Sequence, residues 1–355
     1  MKKKRKFCVL SVIVLFSLAI VFSSVYAEVD SVKERAKEIV SEMSLSEKAA
    51  QMIITVPERW SAVSNFVMHD YDLDPEMMQK RVYGGIVIFG KNIESAASLS
   101  AVINKLKTAP IVPFVISEEE GGSVSRVSQK LQLSNISSPS VIGKTGDVSE
   151  AYESGVTIAD YLYNLGYNMN LGPMADLSIS ATNGELTDRC YSSDPAEVAV
   201  MTQQVMTGLQ DHGIISVYKH FPGIGNADTE TEENKVTVRT KRDKLYAQDI
   251  LPFRSGIAGN ASCVMVSSAY YEELDSDRPA TFSNKIVNGI LRDELNFDGV
   301  IISARLDSAV LKSNYSDWQI IILPIKAGCD MLYLPSDTVS AISTIVNAVE
   351  NGEIA

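Results

Sequence analysis

The sequence predicts an α/β fold of the (β/α)8, TIM-type barrel class, built as a single domain. Short apolar runs rich in β-branched residues recur eight times, and helical segments separate them. Continuous apolarity is typical of parallel strands that are buried on both faces. No linker rich in Pro, Gly or Ser divides the 355 residues, of which 45% are hydrophobic. Eightfold alternation of strand and helix favours a barrel, and a doubly wound sheet is the alternative.

The predicted strands are four to six residues long. They are Gln51–Thr55, Gly85–Phe89, Ile111–Ile116, Asn168–Gly172, Ile215–Tyr218, Cys263–Ser267, Gly299–Ser303 and Asp330–Leu334. The segment Ser44-Leu45-Ser46-Glu47 has the spacing of a capping box and predicts the start of a helix. In a capping box, the side chain of each end residue accepts a hydrogen bond from the backbone N–H of the other. The other predicted helices are Ser31–Ser41, Ala96–Lys107, Val148–Leu165, Pro195–His212, Asp249–Gly259, Asn284–Leu295 and Thr338–Glu350.

The N-terminus has the pattern of an export signal. Lys2–Lys6 is basic, Phe7–Ser24 is an apolar run, and Val25-Tyr26-Ala27 resembles a signal peptidase site. We therefore expect residues 1–27 to be a signal peptide and 28–355 to be the barrel domain. The alternative is an uncleaved membrane anchor over 7–24, since this run is close to the shortest that spans a bilayer. Both alternatives place the folded part outside the cytoplasm, as a secreted or cell-envelope protein.

Charge and cysteine content exclude several classes of function. The chain has a net charge of −12, and removing residues 1–27 with their five positive charges leaves −17 over 328 residues. Such a surface repels phosphate backbones, so nucleic acid is not an expected partner. Cys190, Cys263 and Cys329 are an odd set without metal-ligand spacing, and the three His are scattered. We expect no disulfide framework, no metal and no organic cofactor, and we expect Cys263 and Cys329 to be buried.

Candidate site residues follow the predicted strands, because the carboxyl ends of barrel strands carry the active site. Arginine, lysine, histidine and carboxylate side chains at these ends are typical of a sugar-binding site, because charged groups bind hydroxyls and carboxylates can act as acids or bases. The alternative for the acidic segments is that they are solvated loops. No metalloprotease, serine-hydrolase, phosphate-loop or dinucleotide motif is present. The strand-end segments are Ser117-Glu118-Glu119-Glu120-Gly121-Gly122 with Arg126, Pro173-Met174-Ala175-Asp176, Lys219-His220-Phe221-Pro222-Gly223, the acidic loop Gly225–Asn234, and Ala304-Arg305-Leu306-Asp307.

A series of motifs runs in one order from about Ser41 to the C-terminus. It comprises Met43-Ser44-Leu45-Ser46-Glu47-Lys48, Gly84-Gly85-Ile86, Glu120-Gly121-Gly122, Gly172-Pro173-Met174-Ala175-Asp176, Lys219-His220-Phe221-Pro222-Gly223, Phe297-Asp298-Gly299-Val300-Ile301 and Ala327-Gly328-Cys329-Asp330-Met331-Leu332. This series resembles the catalytic barrel of glycoside hydrolase family 3, specifically its β-N-acetylhexosaminidase branch. Each motif alone is weak, whereas all of them in order over some 300 residues are specific.

The resemblance implies a set of side chains that bind an N-acetylhexosamine. The family uses an Asp before x-Glu-Gly-Gly, an Arg after that Gly-Gly, an Arg in an Arg-Ser-Phe segment, and a Lys-His pair. The corresponding residues here are Glu118, Arg126, Arg189, Lys219 and His220. Glu replaces the family's Asp at 118, and Cys190 replaces the Ser that follows the second Arg.

The catalytic positions implied by the resemblance carry other residues. The family's nucleophile, an Asp after the Ser that ends the seventh strand, corresponds to Ala304, and a methyl group cannot attack an anomeric carbon. The family's acid/base is an Asp–His dyad in the loop after Lys-His-Phe-Pro-Gly. Its Asp aligns with Glu232 and its His with Asn234, which has no proton to exchange near neutral pH.

Three hypotheses follow. The first is an exported, carbohydrate-binding pseudoenzyme whose ligand is an N-acetylglucosamine-containing glycan or a peptidoglycan fragment. The second is an active glycosidase with relocated groups, in which Asp307 is the nucleophile and Glu230, Glu232 or Glu233 is the acid. The third is a structural or interaction protein with a vestigial pocket.

Overall fold

The computed structural model describes residues 31–61, 66–73, 83–179, 186, 188–229 and 235–355. The predicted signal peptide lies outside the described residues, so its cleavage stays a prediction. The chain divides into two units, Met1–Lys48 and Ala49–Ala355. Among the described helices, none has the length and apolarity needed to cross a bilayer.

The first unit has helical residues at 31–42, and the predicted capping box follows them. The Ser44 backbone N–H donates to Glu47 Oε2 at 2.7 Å, and the Glu47 N–H donates to Ser44 Oγ at 3.3 Å. The reciprocal bonds satisfy N–H groups that the first helical turn leaves unpaired. They begin the helix Leu45–Gln51 and confirm the prediction.

Strands of the described chain form a parallel barrel with two small additions. In chain order they are β1 (Ile53–Thr55), β2 (Gly85–Val87), β3 (Phe114–Ser117), β4 (Glu119–Gly121), β5 (Val124–Ser125), β6 (Met169–Asn170), β7 (Ile215–Phe221), β8 (Ala227–Thr229), β9 (Val236–Val238), β10 (Cys263–Val266), β11 (Tyr270–Tyr271), β12 (Asp275–Pro279), β13 (Val300–Ile302) and β14 (Leu332–Tyr333). Eight of these pair in the order β13-β10-β7-β6-β3-β2-β1-β14. A bridge from Ile302 to Met331 joins the two end strands.

Each of the eight barrel strands overlaps one of the eight predicted runs, and only β3 and β7 extend beyond theirs, to Ser117 and Phe221. The (β/α)8 barrel is confirmed and the doubly wound sheet is excluded. Alternate residues face opposite sides of the sheet. Ile54, Val87 and Ile116 pack inside the barrel, whereas Ile86 and Val115 pack outward. Both faces exclude water, and this explains why the strands are continuously apolar.

The predicted helices are present with small shifts at their ends. The described helices of the second unit are Glu58–Ser61, Ala96–Leu106, Arg126–Leu131, Pro139–Thr145, Val148–Leu165, Pro195–Asp211, Arg242–Ala247, Leu251–Ala258, Lys285–Glu294, Ala309–Asn314, Asp317–Ala327 and Thr338–Glu350. The helix Asp317–Ala327 was not predicted, because its Ile-Ile-Ile run and Pro324 resemble strand and turn signals. Its start did carry a signal, since Ser316 and Gln319 form a capping box.

A four-stranded sheet in the order β12-β11-β9-β8 follows the carboxyl ends of β7 and β10. A two-stranded hairpin, β4 with β5, follows β3. Neither was predicted, because these strands are two to five residues long and partly polar. Cys190, Cys263 and Cys329 are free and buried, which confirms the expected burial of Cys263 and Cys329.

Candidate functional site

A cleft of about 960 Å³ opens at the carboxyl ends of the barrel strands. The barrel brings together residues that are far apart in the chain, because parallel strands all end at the same rim. Six of the predicted positions line this cleft: Glu118, Arg126, Arg189, Lys219, His220 and Ala304.

Lys219 lies at the centre of an ion-pair network. Its Nζ is 2.6 Å from Glu120 Oε1 and 3.2 Å from Glu118 Oε1. Arg189 donates to both oxygens of Glu120, from Nε at 2.8 Å and from Nη2 at 2.7 Å. Arg126 Nε donates to Glu118 Oε2 at 3.2 Å. Only 1% of the Lys219 side chain is exposed, so its ammonium group depends on these carboxylates for compensation.

This network fixes the protonation of its two acids. Burial acts to raise the pKa of Glu118, but Lys219 and Arg126 outweigh burial and lower that pKa to about 2. Burial likewise opposes ionisation of Glu120, and Lys219 and Arg189 lower its pKa. Both groups are therefore carboxylates at neutral pH. They accept hydrogen bonds and have no proton to donate to a leaving group.

The hairpin between β4 and β5 contains two of the three acids of the Glu118–Gly122 segment. Glu119 and Glu120 are buried, at 1% and 5% exposure, so the solvated-loop alternative is wrong for them. Gly122 has φ +55°, and a Cβ there would lie 2.4 Å from the Cβ of Ser138. The Gly-Gly pair therefore lets the chain reverse tightly and direct Glu120 toward Arg189 and Lys219.

Glu119, Glu120 and Asp176 contribute to the site, although the sequence assigned none of them a role. Glu120 binds Arg189 and Lys219, and its signal was its place in the Glu-Gly-Gly motif. Glu119 accepts hydrogen bonds from Val127 N–H and from the Tyr161 hydroxyl, both at 2.5 Å. It thereby holds the first turn of the helix Arg126–Leu131, which carries Arg126.

Asp176 orients the imidazole of His220. Its Oδ2 lies 2.8 Å from His220 Nδ1, and its Oδ1 accepts the Ile224 N–H at 2.8 Å. Asp176 is fully buried. Nδ1 is thus engaged by Asp176, and Nε2 is the ring nitrogen that this contact leaves for a ligand in the cleft.

Ala304 and Asp307 lie differently with respect to the cleft. Ala304 is 5% exposed, lines the cleft, and donates its N–H to Thr281 Oγ1 at 3.0 Å. Asp307 is not among the lining residues. It accepts from Arg59 Nη2 at 2.8 Å and from Arg305 Nε at 2.5 Å. The structure therefore does not bring Asp307 together with the other candidate residues.

Among the described residues that line the cleft, Glu118 is the only carboxylate. Glu230, Glu232, Glu233 and Asn234 lie outside the described residues, so their assignment to the acid/base loop stays a prediction. The described part of the chain also holds no group of three or more His, Cys, Asp or Glu side chains arranged for a metal ion.

A buried acid, Asp249, lies under the segment that leads into this loop. It is 1% exposed, and Asn226 Nδ2 donates to it at 3.2 and 3.3 Å. Burial, with the charge of Asp176, raises the pKa of Asp249 to about 7, while Asn226 and Lys244 oppose the rise.

Asp249 is expected to make the protein less stable as the pH rises. Between pH 3.8, the ordinary pKa of an Asp carboxyl, and about pH 7, the unfolded carboxyl ionises while the folded one stays protonated. The free energy of unfolding then falls by up to about 1.4 kcal/mol per pH unit, and the effect levels off above pH 7. Urea unfolding from pH 4 to 8 should show a steeper fall for the unmodified protein than for Asp249→Asn. Asp243→Asn, at an exposed position of the helix Arg242–Ala247, is the control. Equal slopes for all three proteins would contradict this assignment.

The model of the glycosyl hydrolase family 3 N terminal domain matches residues 44–355. The chain belongs to this family. Beta-hexosaminidase of Nitrosomonas eutropha is 30% identical over 280 residues, which are 76% of this chain and 78% of that protein. Beta-hexosaminidase A of Pseudoalteromonas piscicida is 28% identical over 281 residues, which are 73% of this chain and 47% of that protein.

Among solved structures, a glycoside hydrolase family 3 beta-N-acetylglucosaminidase from Paenibacillus sp. str. FPU-7 superimposes with a TM-score of 0.78 at 25% identity. The match covers 88% of this chain and 59% of that one. The chain thus spans less than two thirds of the Pseudoalteromonas and Paenibacillus proteins. The family 3, β-hexosaminidase-like resemblance of the sequence is confirmed.

Proposed function

We propose that this family 3 protein is exported and binds an N-acetylglucosamine-containing glycan, such as a peptidoglycan fragment, without hydrolysing it efficiently. One observation carries the proposal. The cleft is lined by the complete set of predicted sugar-binding residues and by Ala304, the residue that the resemblance aligns with the nucleophile, and Glu118 is the single carboxylate of the described lining. Export rests on the basic, apolar and small-residue pattern of residues 1–27.

The binding part of the proposal rests on charge-assisted hydrogen bonds. Glu118 and Glu120 are ionised acceptors, and Arg126, Arg189 and Lys219 are donors whose positions the network already fixes. Such bonds are roughly twice as strong as neutral ones, and fixed groups lose little entropy when a sugar replaces water. The β-hexosaminidases similar to this chain support an N-acetylhexosamine as the sugar.

The catalytic part of the proposal rests on how many carboxyl groups line the described cleft and on whether they are protonated. Most glycoside hydrolases use two carboxyl groups, one protonated or able to activate water and one ionised, at about 5–9.5 Å from each other, and the branch that this chain resembles replaces the first with an Asp–His dyad. Glu118 is ionised and bound to Lys219 and Arg126, so it is a poor acid. Ala304 supplies no charge and no nucleophile.

The alternative of a relocated nucleophile finds little support at Asp307. Two guanidinium groups bind its carboxylate, and only 13% of its side chain is exposed. An attacking carboxylate must reach the anomeric carbon, and Asp307 would first have to leave Arg59 and Arg305.

The experiment is sugar binding measured together with turnover. N-Acetylglucosamine at ten times its Kd should stabilise the unmodified protein by about 1.4 kcal/mol. Calorimetry should show saturable binding, while an aryl β-N-acetylglucosaminide is not turned over. Arg189→Ala should weaken the affinity at least tenfold, because it removes a bidentate partner of Glu120 and a donor of the cleft.

Arg242→Ala is the matched control, because Arg242 is exposed and pairs with Glu294 away from the cleft. Absence of binding at millimolar sugar would contradict the proposal. So would efficient turnover by the unmodified protein.

A further inference from the structure

A second cavity lies on the far side of the four-stranded sheet from the cleft. It has a volume of about 600 Å³, which is within the range of roughly 300–1,000 Å³ for small-ligand sites. Residues of β9, β11 and β12 line it, together with the last residue of the helix Ala309–Asn314 and the tyrosine that follows this helix. We call this cavity the outer pocket.

The outer pocket and the cleft lie on opposite faces of the same strands. In β9, Thr237 lines the outer pocket, whereas its neighbour Val236 lines the cleft. At the start of β11, Tyr270 lines the outer pocket, whereas the preceding Ala269 lines the cleft. Successive side chains of a strand point to opposite faces, so the sheet separates the two cavities. Their linings share no described residue, and the outer pocket is therefore a site of its own.

Two tyrosine rings of the outer pocket are held in place by their neighbours. The Tyr315 ring packs at 88° to the Phe282 ring, with centroids 4.9 Å apart. Lys235 Nζ lies 5.4 Å from the centroid of the Tyr270 ring. The Tyr270 and Tyr315 hydroxyls hydrogen-bond each other at 3.0 Å. Because these rings are already fixed, a ligand that packs on them costs little side-chain entropy.

The tyrosine pair offers both apolar and polar surface. A hydrogen bond between two hydroxyls uses one of the two O–H groups, and the other is left as a donor outside that bond. Burial and the Tyr270 hydroxyl raise the pKa of Tyr315, so both of its roles are those of a neutral phenol. A ring face beside a hydroxyl matches a sugar, whose C–H groups form an apolar face and whose hydroxyls surround it.

The rest of the lining provides hydrogen-bonding groups suited to hydroxyls. Asn314 donates its amide nitrogen to a carbonyl of its own helix at 2.8 Å, and this leaves the amide oxygen as an acceptor. Ser276 Oγ donates to Asp277 Oδ1 at 3.3 Å, and the carboxylate has further acceptor sites. Asn314, Ser276 and Asp277 are exposed, so a ligand can reach them without displacing the core.

Charges of both signs surround the outer pocket. Lys235, Glu272 and Asp277 are in its lining. Arg239 Nε binds Glu272 Oε1 at 3.0 Å, and the exposed Arg278 follows Asp277 in β12. Because cations and anions alternate over this small area, the pocket favours a neutral ligand over a strongly charged one.

We propose that the outer pocket is a second carbohydrate-binding site, in which a neutral sugar ring packs on Tyr270 and Tyr315. Asn314, Glu272 and Asp277 bind its hydroxyls. The inference goes beyond the proposed function, since the outer pocket shares no lining residue with the cleft and can bind a sugar whether or not the cleft does.

The experiment measures binding to the outer pocket in the full chain with the cleft weakened. N-Acetylglucosamine is the probe, and its affinity for Arg189→Ala is measured by saturation-transfer NMR. Arg189→Ala should retain saturable binding. Ser276→Trp, added to Arg189→Ala, places a large side chain at an exposed position of the outer lining and should weaken that binding at least tenfold. Adding Tyr315→Phe instead should weaken it about two- to tenfold, because it removes a hydroxyl and keeps the ring.

Tyr246→Phe in the same background is the matched control, because it removes a tyrosine hydroxyl that lines neither cavity. Urea unfolding checks that each variant is folded. No binding by Arg189→Ala, or binding that both Ser276→Trp and Tyr315→Phe leave unchanged, would overturn the inference. Binding to the unmodified protein that Ser276→Trp weakens and Arg189→Ala does not would support the outer pocket and contradict the proposed function of the cleft.

Discussion

The double variant Ala304→Asp/Asn234→His is expected to hydrolyse an aryl β-N-acetylglucosaminide at least about a thousandfold faster than the unmodified protein. Removing a nucleophile in another hydrolase costs about 10⁴–10⁶ in rate, and groups that act together are strongly non-additive. A carboxylate at 304 would stand two residues after the end of β13, in the lining of the cleft that Lys219 and Arg305 also share. Histidine at 234 would supply the missing exchangeable proton.

The single variants test whether the rate gains of the two substitutions are non-additive. Ala304→Asp and Asn234→His should each gain far less than the pair, because each still lacks its partner. Ala304→Asn combined with Asn234→His is the matched control, since the amide fills the same space without being a nucleophile. Turnover by the unmodified protein that Asp307→Asn abolishes would show that the chemistry has moved. No gain in the double variant, together with no sugar binding, would show a vestigial cleft.

Lys219→Met is expected to lower the free energy of unfolding by about 3–5 kcal/mol at pH 7. The change removes a buried ammonium group and leaves the carboxylates of Glu118 and Glu120 with less compensation. The loss should be largest above pH 4.5 and should narrow as the pH falls toward 2. The stability gained from the lowered pKa of Glu118 is present above the unfolded pKa and is lost as that carboxylate is protonated.

Urea unfolding between pH 3 and 8 measures this effect. Lys130→Met, at an exposed position of the same cleft, should change stability by about 0.5 kcal/mol or less. Lys219→Met/Glu120→Gln should be less destabilised than the sum of the two single variants, because neutralising the acid relieves part of the unpaired charge. A Lys219→Met protein as stable as the unmodified one would contradict the central role of this ion pair.

The sequence predicts the barrel well because its signal is local. Strands such as β2 and β13 are buried on both faces, so each must be apolar at every position, whatever its neighbours are. Lys219 and His220 were placed correctly at the carboxyl end of β7. Their strand, however, continues to Phe221 and does not end at Tyr218. A lysine usually marks a strand end, but here distant carboxylates allow Lys219 to be buried inside the strand.

The parts of the site that the sequence missed are those that depend on distant partners. Glu118 and Lys219 are 101 positions apart, and Asp176 meets His220 across 44 positions. No local pattern distinguishes Glu120, which is buried against Arg189, from a solvated acid in a charged loop. Asp307 likewise follows β13 as a candidate nucleophile, and only the position of Arg59 shows where its carboxylate is held.

The sequence alone therefore determined the fold, the family, and which side chains stand at the ends of the barrel strands. Through the resemblance to the family, it also predicts that Ala304 stands at the position of the nucleophile. Only the tertiary structure decided which carboxylates are paired, which cations remain exposed, and which acids carry a proton. The physical reason is that burial patterns are properties of single segments. Charge interactions and pKa values depend on the distances between groups that meet only when the barrel closes.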